Sequence, residues 1–177
     1  MSDYIDQYKK FYSEQGGYGN ADPVMRAKDS IKSYLEKYKC KTLLDYGCGA
    51  ALQYSKYRLD EYWDIARLYC YDPGVEQFEK KPTEKYEAVI NTDVLEHIPE
   101  ASVYDVIQDI YTYADKFVYF SIATVPSRAI LPNGENAHCT LKTHTEWVNI
   151  IKRYKTVPTV VRCTGGGLKV IGEDLIE

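Results

Sequence analysis

A short apolar run, Thr42-Leu-Leu, ends in Asp45 and breaks at once into a Gly-x-Gly turn at Gly47 and Gly49. A segment this brief, apolar on successive residues and stopped by glycine, reads as a strand buried on both faces that hands over to a ligand-carrying loop. Strands of that kind belong to parallel sheets covered by helices. The junction therefore predicts an α/β fold with a cofactor at the open end of the sheet.

The rest of the chain keeps the helix–strand alternation that such a sheet needs. Residues 2–13 set Tyr4, Ile5, Tyr8, Phe11 and Tyr12 at helical spacing, and Gly16-Gly17-Tyr18-Gly19 ends the pattern as a hinge. Asp22-Pro23 reads as an N-cap with proline at the first helical position, opening a helix with Val24, Ala27, Ile31, Tyr34, Leu35 and Tyr38 on one stripe. Past the glycine turn, a helix from about Ala51 is expected to break before a second one carrying Leu59, Tyr62 and Trp63. Residues 68–71 make the next strand, closed by Asp72-Pro73-Gly74, and 86–90 another, ending in Asn91-Thr92-Asp93. A helix with Val103, Val106, Ile107 and Ile110 precedes the most hydrophobic strand, 117–123. Thr143 and Glu146 form a capping box ahead of Trp147, Ile150 and Ile151. Two β-rich runs, 156–163 and 168–172, then flank Gly165-Gly166-Gly167 and read as a terminal antiparallel hairpin.

At 177 residues the chain is one domain, too short to add a separate substrate domain, so any acceptor must share the cofactor's fold. The expected layout is a helical cap at 1–40, a cofactor-binding core at 41–123, a lid loop at 124–142, and a closing helix and hairpin at 143–177. The loop is rich in Pro, Asn and Gly without a period, and loops of that length in compact domains are usually functional. With 26 acidic against 22 basic residues and no long basic run, a surface tracking nucleic-acid phosphates is disfavoured. The five cysteines form no C-x-x-C pair, as expected of a reduced cytoplasmic protein. No secretory pattern opens the chain and no apolar stretch approaches the ~18 residues a membrane span needs. Tyrosine outnumbers phenylalanine 18 to 4, which suits half-buried helix faces where a ring packs and its hydroxyl reaches a polar partner.

Chemistry concentrates at the strand ends. Gly47 and Gly49 allow close approach of backbone to a ligand, and the N–H groups of the next helical turn suit an anionic group. Asp72 follows Gly49 at about the separation where an acid accepts both hydroxyls of a ribose. Leu52 stands where a dinucleotide fingerprint wants its third glycine, which argues against NAD.

The third element is Asp93-Val-Leu-Glu-His-Ile98, in register with the other two. With it, the chain resembles the class I S-adenosylmethionine-dependent methyltransferases, through L-L-D-Y-G-C-G, Asp72 and D-V-L-E-H-I. The resemblance implies a Rossmann-like, doubly wound, mostly parallel sheet, the terminal hairpin standing for the last two strands. It also implies that Asp45 holds the methionine ammonium directly or through water, that Gly47, Cys48 and Gly49 line the methionine with backbone, and that Asp72 takes the ribose. Thr92 and Asp93 would flank the sulfonium or adenosine, and Tyr18 of the leading segment would close over the cofactor. Only 73–85 separates the ribose acid from the next motif, so the family's third strand is expected to be absent or vestigial. The adenine pocket would then be built from Asp72, Pro73 and the Asn91-Thr92 turn.

A methyl acceptor with oxygen or sulfur needs a base, and His97 and His138 are the candidates because imidazole titrates near neutrality. His97 equally suits a structural role at a helix start. His138, Cys139, His144 and Glu146 match no four-ligand pattern, so no metal is expected. The sequence thus predicts a methyltransferase for a small-molecule acceptor bound between the N-terminal helices and the lid loop. The alternatives are a non-catalytic binding module, or an enzyme for a protein or nucleic-acid substrate. No oligomeric state follows from the sequence.

Overall fold

The computed structural model describes residues 2–15 and 22–177. Two helices, α1 (Ser2–Gln15) and α2 (Asp22–Lys37), lead into β1 (Thr42–Tyr46). Then follow two short helices, α3 (Leu52–Ser55) and α4 (Leu59–Tyr62), and β2 (Arg67–Tyr71), β3 (Tyr86–Thr92), α5 (Glu100–Thr112) and β4 (Ala114–Ala123). The chain closes with α6 (His144–Tyr154), β5 (Thr159–Thr164) and β6 (Val170–Ile176). The glycine-rich hinge with Tyr18 lies outside the described residues.

The six strands form one sheet in the order β2-β1-β3-β4-β5-β6, parallel throughout except for β5 against β6. The expected C-terminal antiparallel pair is present, with β6 at the sheet edge. Between Asp72 and Tyr86 the chain makes only a 3-10 turn at Glu76–Phe78, so β2 is the other edge and the third strand is absent. Strand order reverses at β1, whose neighbours β2 and β3 follow it in sequence on opposite sides. In such sheets the crevice outside the strand carboxyl ends at the reversal is where ligands bind.

Alternation along the strands sorts the core into two layers. Leu43, Ala88, Ile90, Phe117, Tyr119 and Val160 face α2, burying its Val24, Ala27, Ile31 and Leu35 together with Leu59 and Trp63. Leu44, Val89, Val118, Phe120, Ile122 and Val161 face the other way, against Val103, Val106, Ile107 and Ile110 of α5 and Trp147 and Ile151 of α6. The capping box forms as the sequence predicts: the Glu146 N–H donates to Thr143 Oγ1 and the Thr143 N–H to Glu146 Oε2.

A third, much smaller cluster joins Phe11 of α1 to Leu131 and Ala137 of the 124–142 loop, with Tyr4 and Tyr8 packed beside it. The loop has a single bridge, Ile130 to Asn136, and is tied by the Asn136 side chain, which accepts from Ser127 N and His138 N and donates to Ser127 O. Helix α1 and this loop together roof the strand ends. No helix is long and apolar enough to cross a membrane among the described residues.

Candidate active site

The roofed space is a cleft of about 1080 Å³, at the large end of the usual scale for small-molecule sites. Its floor is the turn after β1. Gly47 and Gly49 both sit in the left-handed region, at φ +90° and +55°. A Cβ on Gly47 would come within 2.3 Å of Val94 Cγ2, so this position needs glycine for both conformation and space. The turn is clamped to β2, since Gly47 N and Cys48 N donate to Tyr71 O at 2.7 and 3.1 Å.

Asp72 joins the two loops. Its Oδ2 accepts from Gly49 N and its Oδ1 from Gly74 N, each at 2.8 Å, and its carboxylate borders the cleft beside Pro73. Burial raises its pKa, while the two N–H bonds act to lower it.

Asp45 is fully buried, one side chain behind the cleft wall, rather than in direct reach of a ligand. Its Oδ2 accepts from Gln53 Nε2 at 2.8 Å and Tyr54 OH at 2.9 Å, and Oδ1 has no hydrogen-bond partner. Gln53 borders the cleft in its place and also donates to Cys48 O. Strand alternation turns Asp45 inward, and the α3 residues Gln53 and Tyr54 donate to it from the cleft side. Burial lifts its pKa from 3.8 to about 6, with the two side-chain bonds opposing. Cys48 also lines the cleft, its thiol pushed upward by a hydrogen bond with Cys70 and by burial, which keeps it protonated.

Thr92 and Asp93 reach the cleft from β3. Asp93 takes φ +62°, uncommon for a non-glycine residue, and its N–H donates to Ser121 O at 2.8 Å. That kink turns the chain into a 3-10 turn, Leu95–His97, and gathers Asp93, Glu96, His97 and, from the roof loop, His138. The two imidazoles meet edge to face at 4.6 Å between centroids. His97 Nδ1 lies 2.9 Å from Ala137 O and 2.8 Å from the Tyr8 hydroxyl. His138 Nδ1 lies 2.6 Å from Val125 O. A carbonyl only accepts, so each Nδ1 carries a proton. Burial, then the neighbouring His97, lowers the His138 pKa, which keeps it neutral at pH 7.

Glu96 is fully buried beneath the histidines. The Ala123 N–H donates to its Oε1 at 2.5 Å, and Oε2 has no hydrogen-bond partner. Burial and then the Asp93 charge hold its pKa well above the usual range.

Away from this cluster, Tyr46, Tyr71, Pro73, Lys81, Val106 and Asp109 border the cleft. Asp109 Oδ2 accepts from Tyr46 OH and Lys81 Nζ at 2.7 and 2.6 Å. Arg26 of α2 and Arg128 of the loop are exposed at the roofed side. Gln53, Glu96 and Tyr8 are among the candidate site residues that sequence reasoning missed. Tyr8 and Glu96 lay within patterns already singled out, the first helical stripe and D-V-L-E-H-I, but neither pattern says which member turns toward a ligand.

The chain has the fold of the class I S-adenosylmethionine-dependent methyltransferases. Among solved structures it is similar to the 1,6-didemethyltoxoflavin-N1-methyltransferase of Burkholderia thailandensis, crystallised with 1,6-didemethyltoxoflavin and S-adenosylhomocysteine. The TM-score is 0.60 at 13% identity, over 91% of this chain and 82% of that one. The sequence matches no family model, and a search of curated proteins finds no match.

Proposed function

We propose that this protein is an S-adenosylmethionine-dependent methyltransferase acting on a small-molecule acceptor. The observation that carries the reading is one cleft at the strand reversal bordered by the Gly47–Gly49 turn, Asp72 and Asp93, on a methyltransferase fold. The residues fit the cofactor. The Gly47 cradle, which a Cβ would fill, suits the methionine end, with Gln53 standing in front of Asp45 to meet its polar groups. Asp72 keeps a second lone pair on each oxygen for the ribose hydroxyls. Pro73 and the Tyr46–Tyr71 pair, 4.9 Å between ring centroids, provide an aromatic wall for adenine in place of the third-strand motif.

S-adenosylmethionine, when bound, supplies a methyl group on sulfonium sulfur, and the carbon–sulfur electron pair stays on sulfur as the methyl leaves. The chain's own task is to exclude water, align the acceptor and take its proton. Tyr4, Ile5 and Tyr8 of α1 and residues 125–128 of the loop enclose the acceptor end. The Nε2 lone pair of His138, held by the Nδ1 bond to Val125 O, is placed to accept a proton from an acceptor hydroxyl or thiol there. Arg26 and Arg128 favour an acceptor carrying negative charge.

Titration calorimetry with S-adenosylhomocysteine tests the reading. One site per chain with a dissociation constant in the micromolar range is expected. Absence of binding at about 1 mM would remove the proposal, because ligand-enclosing clefts of this kind bind their cofactors well below that level.

A further inference from the structure

The four side chains at the acceptor end form a donor set whose arrangement a proton base alone does not explain. One ligand atom from each of Asp93, Glu96, His97 and His138 lies within 4.8 Å of all the others. A divalent cation with ligands at about 2.1 Å spans opposite donors about 4.2 Å apart, so small torsional adjustments would close this set around one ion. Both histidines have Nδ1 occupied by a backbone carbonyl, Ala137 O and Val125 O, the outer contact that fixes the tautomer and orients Nε2 in metal-ligating histidines.

The second, independent observation is Glu96. Its carboxylate is fully buried, Oε1 is anchored by Ala123 N, and Oε2 meets no donor. A buried carboxyl oxygen that no donor meets, beside the Asp93 carboxylate, needs either a proton or a cation to answer it, and the two imidazoles facing the pair suit a cation. The Asp93 carboxylate also faces the His97 ring, with Oδ2 3.9 Å from Nε2, too long for a hydrogen bond and suited to two ligands of one ion.

We infer that Asp93, Glu96, His97 and His138 bind a first-row divalent cation of the Mn²⁺ or Zn²⁺ type at the acceptor end of the cleft. Two imidazoles with two carboxylates suit such borderline ions better than Ca²⁺. The binding itself stands apart from the cofactor reading. Its consequence rests on that reading: a cation here, open toward the cleft, would receive an acceptor hydroxyl and ease loss of its proton, which selects oxygen acceptors. His97 and His138 would then serve as ligands rather than bases. The site is distinct from the His138, Cys139, His144 and Glu146 set that stands close together in the sequence, since the fold pairs His138 with the turn after β3 instead.

The test uses the full chain stripped with chelator and titrated with Mn²⁺, read by loss of the free-ion electron paramagnetic resonance signal and by competition with Zn²⁺. One Mn²⁺ per chain is expected. Asp93→Asn and His138→Ala should each weaken binding at least about tenfold, and Cys139→Ser should leave it unchanged. Glu96→Gln should weaken it as the first two do; because Glu96 is buried, the two cleft-lining variants decide the outcome if this one does not fold. No binding at about 1 mM of either metal, or binding indifferent to Asp93→Asn and His138→Ala, would overturn the inference. Calorimetry with S-adenosylhomocysteine runs in parallel: cofactor binding without metal binding defeats only this site, and metal binding without cofactor binding defeats only the methyltransferase reading.

Discussion

The two ends of the cleft are built to different standards of rigidity. At the end proposed for the cofactor, the turn from Gly47 to Gly49 is held by Tyr71 O, by Asp72 and by Val94 packed onto Gly47, all rooted in β1, β2 and β3. At the end proposed for the acceptor, α1 and the 124–142 loop cover the site through a cluster of three buried residues, among the described ones, and a few polar ties such as Tyr8 OH to Ala137 O and Tyr4 OH to Glu135 Oε2. Segments with few buried apolar contacts open at lower free energy than the sheet they cover. Under the proposed function, the contrast would be a division of labour: a fixed seat for the reagent and a roof that can part to admit an acceptor.

The largest effect on this contrast is expected from Gly47→Ala. It adds a left-handed penalty and a methyl 2.3 Å from Val94, so a loss of about 3 kcal/mol or more is expected in urea unfolding. Adding Val94→Ala should recover only the packing part. If Gly47→Ala unfolded like the parent protein, the cofactor seat would not be rigid.

Next in size is the pH dependence carried by Asp45. Its folded pKa of about 6 lies above its ordinary 3.8, so the folded state binds this proton more tightly than the unfolded chain. The stabilisation is therefore full below pH 3.8, falls as pH rises to about 6, and is flat beyond. The fall from this group is on the order of 3 kcal/mol. Asp45→Asn should remove that component from the stability–pH curve, and a difference curve flat across the window would refute the assignment.

Asp72→Asn comes third. It replaces a charged double acceptor with an amide whose NH₂ meets one of the two N–H groups, and about a tenfold loss of S-adenosylhomocysteine affinity is expected. The smallest effect is expected at the roof. Tyr8→Phe removes bonds to Ala137 O and His97 Nδ1, costing about 0.5–1.5 kcal/mol locally. Amide exchange of α1 should accelerate while β1 and β3 stay protected, and cofactor affinity should not change. Slowed exchange, or weakened cofactor binding, would show that roof and seat are one unit.

The core was largely legible because it is periodic. The β1 boundaries, the stripes of α2 and α5, and the capping box follow from which residues alternate and what stops them. Strand β4 begins earlier than its apolar run, at Ala114, which pairs with Tyr86; the exposed Asp115 and Lys116 fall in the register shift before Phe117 and so hide the strand's start from the apolar pattern. Strand β6 runs later than expected, Val170–Ile176, because an edge strand with an exposed, polar face offers no alternation to read. Its Gly172 lies against the His144 ring, a contact between segments that no local pattern announces.

Local sequence alone specifies the buried strand ending in a glycine turn, the helices that cover it, and the acids that mark the strand ends, because each is written in a period or a conformational need of a few adjacent residues. The tertiary structure was needed to place Gln53 between Asp45 and the cleft, and to join His138 to Asp93, Glu96 and His97. Those relations depend on how a loop crosses the sheet and where an α1 tyrosine and two backbone carbonyls hold it. Residues distant in the chain become partners through packing, which local spacing does not encode.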